Sequence, residues 1–423
     1  MRTSFLVGCC AIALLALACS KQEPPPAPAA KSDPKSEQIA RGEYLAAAGD
    51  CYACHTVRGG QRYAGGLPIP TPFGVLYTPN ITPDKTTGIG AWTADDFWRA
   101  MHEGRSKDGS FLYPAFPYTN YTKVTRADSD AIYAFVMSLK PVQQKSRPHE
   151  LGFPYNQRQL MAGWRALYFK PGEFKDDPKQ SPEWNRGAYL VEGLGHCNAC
   201  HATRNALGAI TEDDDYSGGL IPVQNWYAPS LTSSRETGLG DWALKEIVDL
   251  LRTGVSERSS VFGPMAAVVM HSLQEMSLAD LNAMATYLKA QGEKKASTPL
   301  LASGPSDEQT AAMMKSGAKI YQDNCESCHQ PNGEGVARVY PPLANNPAIT
   351  MRNPVNPIRM VLSGGFPPST EGNPRPYGMP PFYQELSNEQ VAAVVTFIRA
   401  SWGNSATPTT PAEVARSRGV PAD

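Results

Sequence analysis

Six of the nine cysteines fall in three copies of one pattern, Cys-x-x-Cys-His. The copies are Cys51-Tyr52-Ala53-Cys54-His55, Cys197-Asn198-Ala199-Cys200-His201 and Cys325-Glu326-Ser327-Cys328-His329. Two thiols separated by two residues can add to the two vinyl groups of one porphyrin, and the histidine that follows reaches its iron from the proximal side. Zinc is the first rival, since paired Cys-x-x-Cys groups can build a four-ligand site. Here each pair is followed at once by histidine and sits in a separate repeat, which suits haem better. A thioredoxin-like dithiol needs a βαβ context that this chain lacks. The pattern therefore predicts three covalently bound haem c groups on Cys51, Cys54, Cys197, Cys200, Cys325 and Cys328. His55, His201 and His329 are the expected proximal iron ligands.

A six-coordinate electron-transfer haem needs a second axial ligand, and a methionine there raises the potential. Met379, in the loop Met379-Pro380-Pro381-Phe382, lies just ahead of the last amphipathic stretch and is the expected distal ligand of the third haem. Met265, in Gly263-Pro264-Met265, holds the matching place in the second repeat, with Met270 and Met276 as near rivals. The first repeat breaks the pattern: Pro114-Ala115-Phe116 stands opposite Pro264-Met265, and Phe116 cannot ligate iron. Three options stay open there. Met101 could face the haem, His102 could make a bis-histidine site, or the iron could be five-coordinate. Met101 is the residue carried forward.

The elements that must hold these groups also repeat. Ahead of each motif runs a helical pattern, opening on Arg41-Gly42-Glu43-Tyr44, Arg186-Gly187-Ala188-Tyr189 and Ser316-Gly317-Ala318-Lys319-Ile320-Tyr321. The glycine suits a point where two helix backbones cross closely. Each repeat closes on apolar residues at helical spacing, at 130–139, 278–288 and 388–399. The first two repeats share Thr87-Gly88-Ile89-Gly90-Ala91-Trp92 and Thr237-Gly238-Leu239-Gly240-Asp241-Trp242, which the third lacks. A helix, a haem loop and a closing helix make the minimal mono-haem plan. The expected fold is mainly α, with three tandem class I cytochrome c domains over 36–176, 177–295 and 306–403. The 38 prolines and 36 glycines imply long Pro/Gly-rich loops. Residues 296–305 read as a linker, and 404–423 as a tail that is either disordered or laid over a neighbour.

Composition narrows the class further. Lys and Arg number 39 against 40 for Asp and Glu, a net charge of −1, so the basic excess of a nucleic-acid binder is missing. With 41% hydrophobic residues the chain is not a charged disordered polymer. Residues 1–18 have one early positive charge and an apolar run too short to span a bilayer, as in a secretory signal peptide. Leu15-Ala16-Leu17-Ala18-Cys19 resembles a bacterial lipoprotein box, with Cys19 as the lipidated residue and 19–35 as a Pro-rich tether. An ordinary signal peptidase site near Ala18 is the alternative. Both place the chain on the periplasmic side of the bacterial inner membrane.

These motifs resemble the membrane-associated tri-haem cytochrome c subunits of bacterial periplasmic dehydrogenases, of the alcohol, aldehyde and gluconate type. Further matching segments are Thr71-Pro72-Phe73-Gly74, Asn80-Ile81-Thr82-Pro83-Asp84, Leu112-Tyr113-Pro114-Ala115 and Ser401-Trp402-Gly403-Asn404. The form Tyr113-Pro114-Ala115-Phe116-Pro117-Tyr118 is more similar to cytochrome subunits that accompany molybdenum hydroxylases. The resemblance implies a separate catalytic subunit, of PQQ, flavin or molybdenum type, whose electrons pass along the haems to membrane quinone (ubiquinone is the candidate) or to another acceptor. The chain itself shows no nucleotide-phosphate fingerprint, no Gly-x-Ser-x-Gly and no His-Glu-x-x-His. No residue is expected to be catalytic. The competing expectation is a self-contained multihaem oxidoreductase, a peroxidase or thiosulfate-type enzyme, working at an open first haem.

Overall fold

The computed structural model describes residues 33–210, 216–221, 223–232, 238–292 and 307–420. The leader, Cys19 and the 296–305 linker lie outside the described residues. The architecture is mainly helical, and it is organised by three crossing helix pairs. Pro34–Ala48 crosses Arg126–Ser138, Pro182–Tyr189 crosses Leu278–Gly292, and Asp307–Asn324 crosses Asn388–Arg399. At each crossing a glycine meets backbone. A Cβ on Gly42, Gly187 or Gly317 would overlap the carbonyl oxygen of Ala131, Ala283 or Ala393, so only glycine lets the axes approach this closely.

Local chemistry starts the helices where they are needed. Thr125 accepts a hydrogen bond from the Asp128 amide, Ser181 one from Trp184, and Ser387 one from Gln390, each satisfying an orphan N–H of a first turn. Between Tyr189 and Cys197 the chain has one residue more than between Tyr44 and Cys51. The extra residue is absorbed as a π-helical turn over Leu190–Leu194. Asn120, from the first unit, donates its amide to the Glu192 carbonyl in that turn at 2.8 Å.

Sheet is sparse and confined to loops. Pro68–Thr71, Gly74–Tyr77 and Glu150–Leu151 pair antiparallel in that order, with Pro68 opposite Tyr77. Gly219–Ile221 pairs with Trp226–Ala228.

Two apolar cores result. One runs unbroken through the first two units, from Leu45, Ile132 and Phe135 to Leu190, Leu281 and Leu288. The other belongs to the third unit, around Ile320, Leu362, Val391, Val394 and Val395. Residues 404–420 return to that second core: Pro411–Arg418 lies on Val355–Ser363 and Asn388–Arg399, with Val414 fully buried.

Candidate haem sites

Each Cys-x-x-Cys-His motif forms a single helical turn directly after the first helix of its unit, at Cys51–His55, Asn198–His201 and Glu326–His329. In the first two units the residue before the motif takes a left-handed conformation, Asp50 at φ 49° and His196 at φ 37°, which turns the chain from one helix into the next.

The three imidazoles are held in one way. Nδ1 of His55 lies 2.8 Å from the Pro79 carbonyl oxygen, Nδ1 of His201 2.7 Å from Pro229, and Nδ1 of His329 3.1 Å from Pro341. A carbonyl can only accept, so Nδ1 carries the proton and the Nε2 lone pair is left for a metal. Burial lowers the pKa of all three rings, against an opposing contribution from the proline carbonyl. The rings are therefore neutral and able to ligate.

The thiols fit thioether formation better than metal binding. All six are free. Burial pushes Cys51 and Cys197 up to about 12, and Cys325 up to about 11, so these sulfurs stay protonated, while Cys54 and Cys200 are exposed. Among the described residues no three His, Cys, Asp or Glu side chains converge on a point that could hold a metal ion. The zinc alternative has no structural support there, whereas a free thiol pair beside an Nε2-free histidine suits a covalent porphyrin.

The first two sites are coupled electrostatically. Cys200 acts electrostatically on Cys54 across the unit boundary, and Asp50 acts on Cys51, Cys54 and Cys200 alike. Burial pushes the Asp50 carboxyl up to about 8, and its Oδ1 has no hydrogen-bond partner. Around the same boundary Tyr52 packs on His271 and Tyr121 on His196, with ring centroids 5.2 and 5.6 Å apart.

The expected distal residues are placed unequally. Met379 is half-buried against the third core, and its backbone exchanges hydrogen bonds of 2.8 and 3.0 Å with Gly365. Met265 is half-buried against the shared core on the first turn of Pro264–His271, after Gly263 has turned the chain at φ 56° over the Trp226 ring. Met101 is buried, and its sulfur accepts a hydrogen bond from Ser129 Oγ at 3.8 Å, so it lies against the Arg126–Ser138 helix. His102 stacks on Trp98 at 4.4 Å. Phe116 is half-buried against the shared core, 5.3 Å from the Tyr121 ring.

Three partners here were missed by sequence reasoning: Pro79, Pro229 and Pro341. Each follows a tyrosine by one or two residues, in Tyr77-Thr78-Pro79, Tyr227-Ala228-Pro229 and Tyr340-Pro341. That recurring Tyr–Pro was the available signal.

The cytochrome c family model matches residues 39–140 and 314–402, and the middle unit lies between them. The chain is 41% identical over 390 residues to the gluconate 2-dehydrogenase cytochrome c subunit of Pantoea cypripedii, covering 89% of this chain and 88% of that one. It is 41% identical over 402 residues to the cytochrome c subunit of the quinone alcohol dehydrogenase of Komagataeibacter europaeus, covering 91% and 85%. It is 43% identical over 365 residues to a nicotinate dehydrogenase subunit of Pseudomonas putida, covering 85% of this chain and 30% of that protein. Cytochrome c domains carry covalently bound haem c, in keeping with the turns described above. Likeness that extends along nearly the whole chain, and not over one domain alone, means that it belongs to the cytochrome c subunits of bacterial dehydrogenase complexes.

Proposed function

We propose that this chain carries three haem c groups, one at each Cys-x-x-Cys-His turn, and passes electrons from a catalytic dehydrogenase subunit to membrane quinone or another respiratory acceptor. The reading rests above all on one observation: three histidines, far apart in sequence, present Nε2 in the same way through the carbonyls of Pro79, Pro229 and Pro341. Bound haem c supplies a one-electron iron couple. The protein's own task is to orient the imidazoles; Met265 and Met379, half-buried against the two cores, would be the second ligands, and those cores would exclude water. The first site differs, because Met101 is engaged by Ser129 and Phe116 stands in sequence where the second repeat has Met265. The chain works at the periplasmic face of the inner membrane, tethered through a lipid on Cys19. Its partner is a gluconate, alcohol or nicotinate type of dehydrogenase, by analogy with the relatives.

The test is gentle extraction followed by intact mass and substrate reduction. We expect three added haem masses, a co-purifying catalytic subunit, and bleaching of the oxidised haem spectrum when that subunit's substrate is added. Two or fewer haems would overturn the count. Turnover of peroxide or thiosulfate by the isolated chain, with a cyanide-binding high-spin haem, would replace this reading with the self-contained enzyme.

A further inference from the structure

Between the closing helix of the first unit and the second unit, residues 140–175 form a long excursion with an unusual surface. Its helix, Met161–Tyr168, is turned inside out relative to an ordinary surface helix, which points its charges at water. Arg165 faces inward, with its guanidinium 4.9 Å from the Phe111 ring, 5.3 Å from Tyr118 and 4.6 Å from Phe169. Trp164 also turns inward, donating its indole N–H to the Leu207 carbonyl at 3.0 Å. The outward face is Leu160, Ala162, Gly163, Ala166 and Leu167, with no charge among them. Leu160 is 58% exposed, Leu167 70% and Phe153 82%. Isolated exposed leucines need no explanation, but a helix that hides its arginine and exposes its leucines does.

The charge of the segment names the occupant. Apart from the inward Arg165, residues 140–175 hold six basic side chains against two acidic ones, ahead of Asp176 and Asp177, in a chain whose net charge is −1. No acid occurs from 151 to 172, and Lys140, Lys145, Arg147, Lys170 and Lys175 are exposed. Protruding leucine and phenylalanine side chains within a local basic excess match an anionic bilayer surface, where apolar side chains enter the headgroup boundary and cations stay with the phosphates. No helix among the described residues is long and apolar enough to cross a membrane, so the contact is one that lies on the surface.

We propose that the 140–175 excursion is a membrane-docking surface, with Phe153, Leu160 and Leu167 entering an anionic leaflet. This extends the proposed membrane location by assigning a second, protein-made contact besides the lipid on Cys19. The test uses the haem-loaded chain exported behind a non-lipid signal sequence and starting at Ser20, so that no acyl chain contributes. Its binding to vesicles of phosphatidylethanolamine and phosphatidylglycerol, 3:1 in proportion, is measured by co-sedimentation. We expect binding at low salt that falls at least tenfold on phosphatidylcholine vesicles, and at least tenfold in the pair Leu160→Glu with Leu167→Glu. Phe153→Asp, on a loop, is the second variant should the helical pair disturb folding, and an unchanged haem spectrum is the control. Absence of binding to the anionic vesicles, or equal binding by the variants, overturns the proposal. So does a pair that binds vesicles normally but loses the catalytic subunit, which would make the face a protein interface. Neither failure touches the electron-transfer reading, which rests on haem content and substrate reduction.

Discussion

The first two units and the third solve the same local problem and opposite global ones. All three cross their helices at a glycine and hang a histidine on a proline carbonyl. Only the first two are fused. Arg41 donates to Asp128 at 2.9 Å and Arg186 to Asp280 at 2.8 Å, each within its own unit. The tyrosine three residues after each arginine then reaches across: Tyr44 donates to Asp280 and Tyr189 to Asp128, both at 2.6 Å. Each phenol also accepts an N–H at the start of the other unit's closing helix, from Ser277 and from Thr125. The arrangement is a local two-fold, written by Arg-Gly-x-Tyr. The third unit has Ser316 and Lys319 at those positions, and Lys319 pairs with Asp323 on its own helix. It keeps its own core and meets the second unit by edges. The difference teaches that the arginine and tyrosine beside the crossing glycine go with fusion, alongside cross-unit bonds such as Asn120 to Glu192, whereas the third unit, lacking both, only docks on its neighbour.

The sharpest way to break that comparison is at the crossings. Gly187→Leu forces a side chain into the Ala283 carbonyl, and because the core is shared the damage should spread to the first unit. We expect loss of two haems in the pyridine haemochrome assay and by mass. Gly317→Leu should cost one haem only, since its core stands alone. A loss of one haem from each variant would show that the units fold independently.

Proton linkage should also separate the two regions. The folded chain keeps a proton on Asp50, pushed up to about 8 by burial, that the unfolded chain releases near 3.8. Stability of the fused pair therefore falls as pH rises from about 4 to about 8, with a slope of at most about 1.4 kcal/mol per pH unit, and levels off above. Asp280 has the opposite sign. Burial pulls its pKa up, but the bonds from Arg186 and Tyr44 outweigh this and hold it below the usual carboxylate value, so its contribution is lost as pH drops below about 4. The third unit has Asn324 where the first has Asp50. Denaturant titrations followed at several pH values should show a slope between pH 5 and 8 that Asp50→Asn removes.

Cutting the latch is the next test in size. Hydrogen bonds to a charged group contribute about 1.5–3 kcal/mol each, so Tyr44→Phe with Tyr189→Phe should cost the pair about 3–6 kcal/mol and lower its melting temperature by on the order of 10 °C. The transition of the third unit should stay in place. A calorimetric scan in which all units shift together would sink the division.

How much of this was legible follows from range in sequence. The three Cys-x-x-Cys-His turns and the crossing glycines could be read because their pattern sits within a few residues. Tyr44 and Tyr189 were visible as repeats, but their partners Asp280 and Asp128 lie far along the chain, and no local pattern pairs them. The proline carbonyls were invisible for another reason: a backbone acceptor has no side-chain signature, and only the recurring Tyr–Pro marks it. The π-helical turn was legible in the spacing, since one residue added between Tyr189 and Cys197 must be absorbed somewhere. The Ser129 bond to Met101 was not, because a serine on the facing helix leaves no trace near the methionine.

The smallest effects belong to the docking of the third unit, and they test whether an edge contact is separable from folding. Asn356 places its side-chain amide against the Tyr227 backbone, accepting from its N–H at 2.9 Å and donating to its carbonyl at 2.8 Å, much as a strand would. Thr370 adds a bond to the Thr253 carbonyl at 3.2 Å, and Arg338 meets Asp249 at 3.2 Å on the surface. Exposed ion pairs contribute under about 1 kcal/mol, so Arg338→Ala alone should change almost nothing. Asn356→Ala removes two neutral hydrogen bonds, about 1–2 kcal/mol together. Neither residue belongs to either core. Asn356→Ala should therefore leave all three units folded and haem-loaded while speeding proteolytic separation of the third unit from the first two, severalfold under native conditions. Cleavage at the wild-type rate would mean that the third unit is held by its apolar contacts with the second, such as Pro368 against Gly254, and that docking and fusion differ in degree alone.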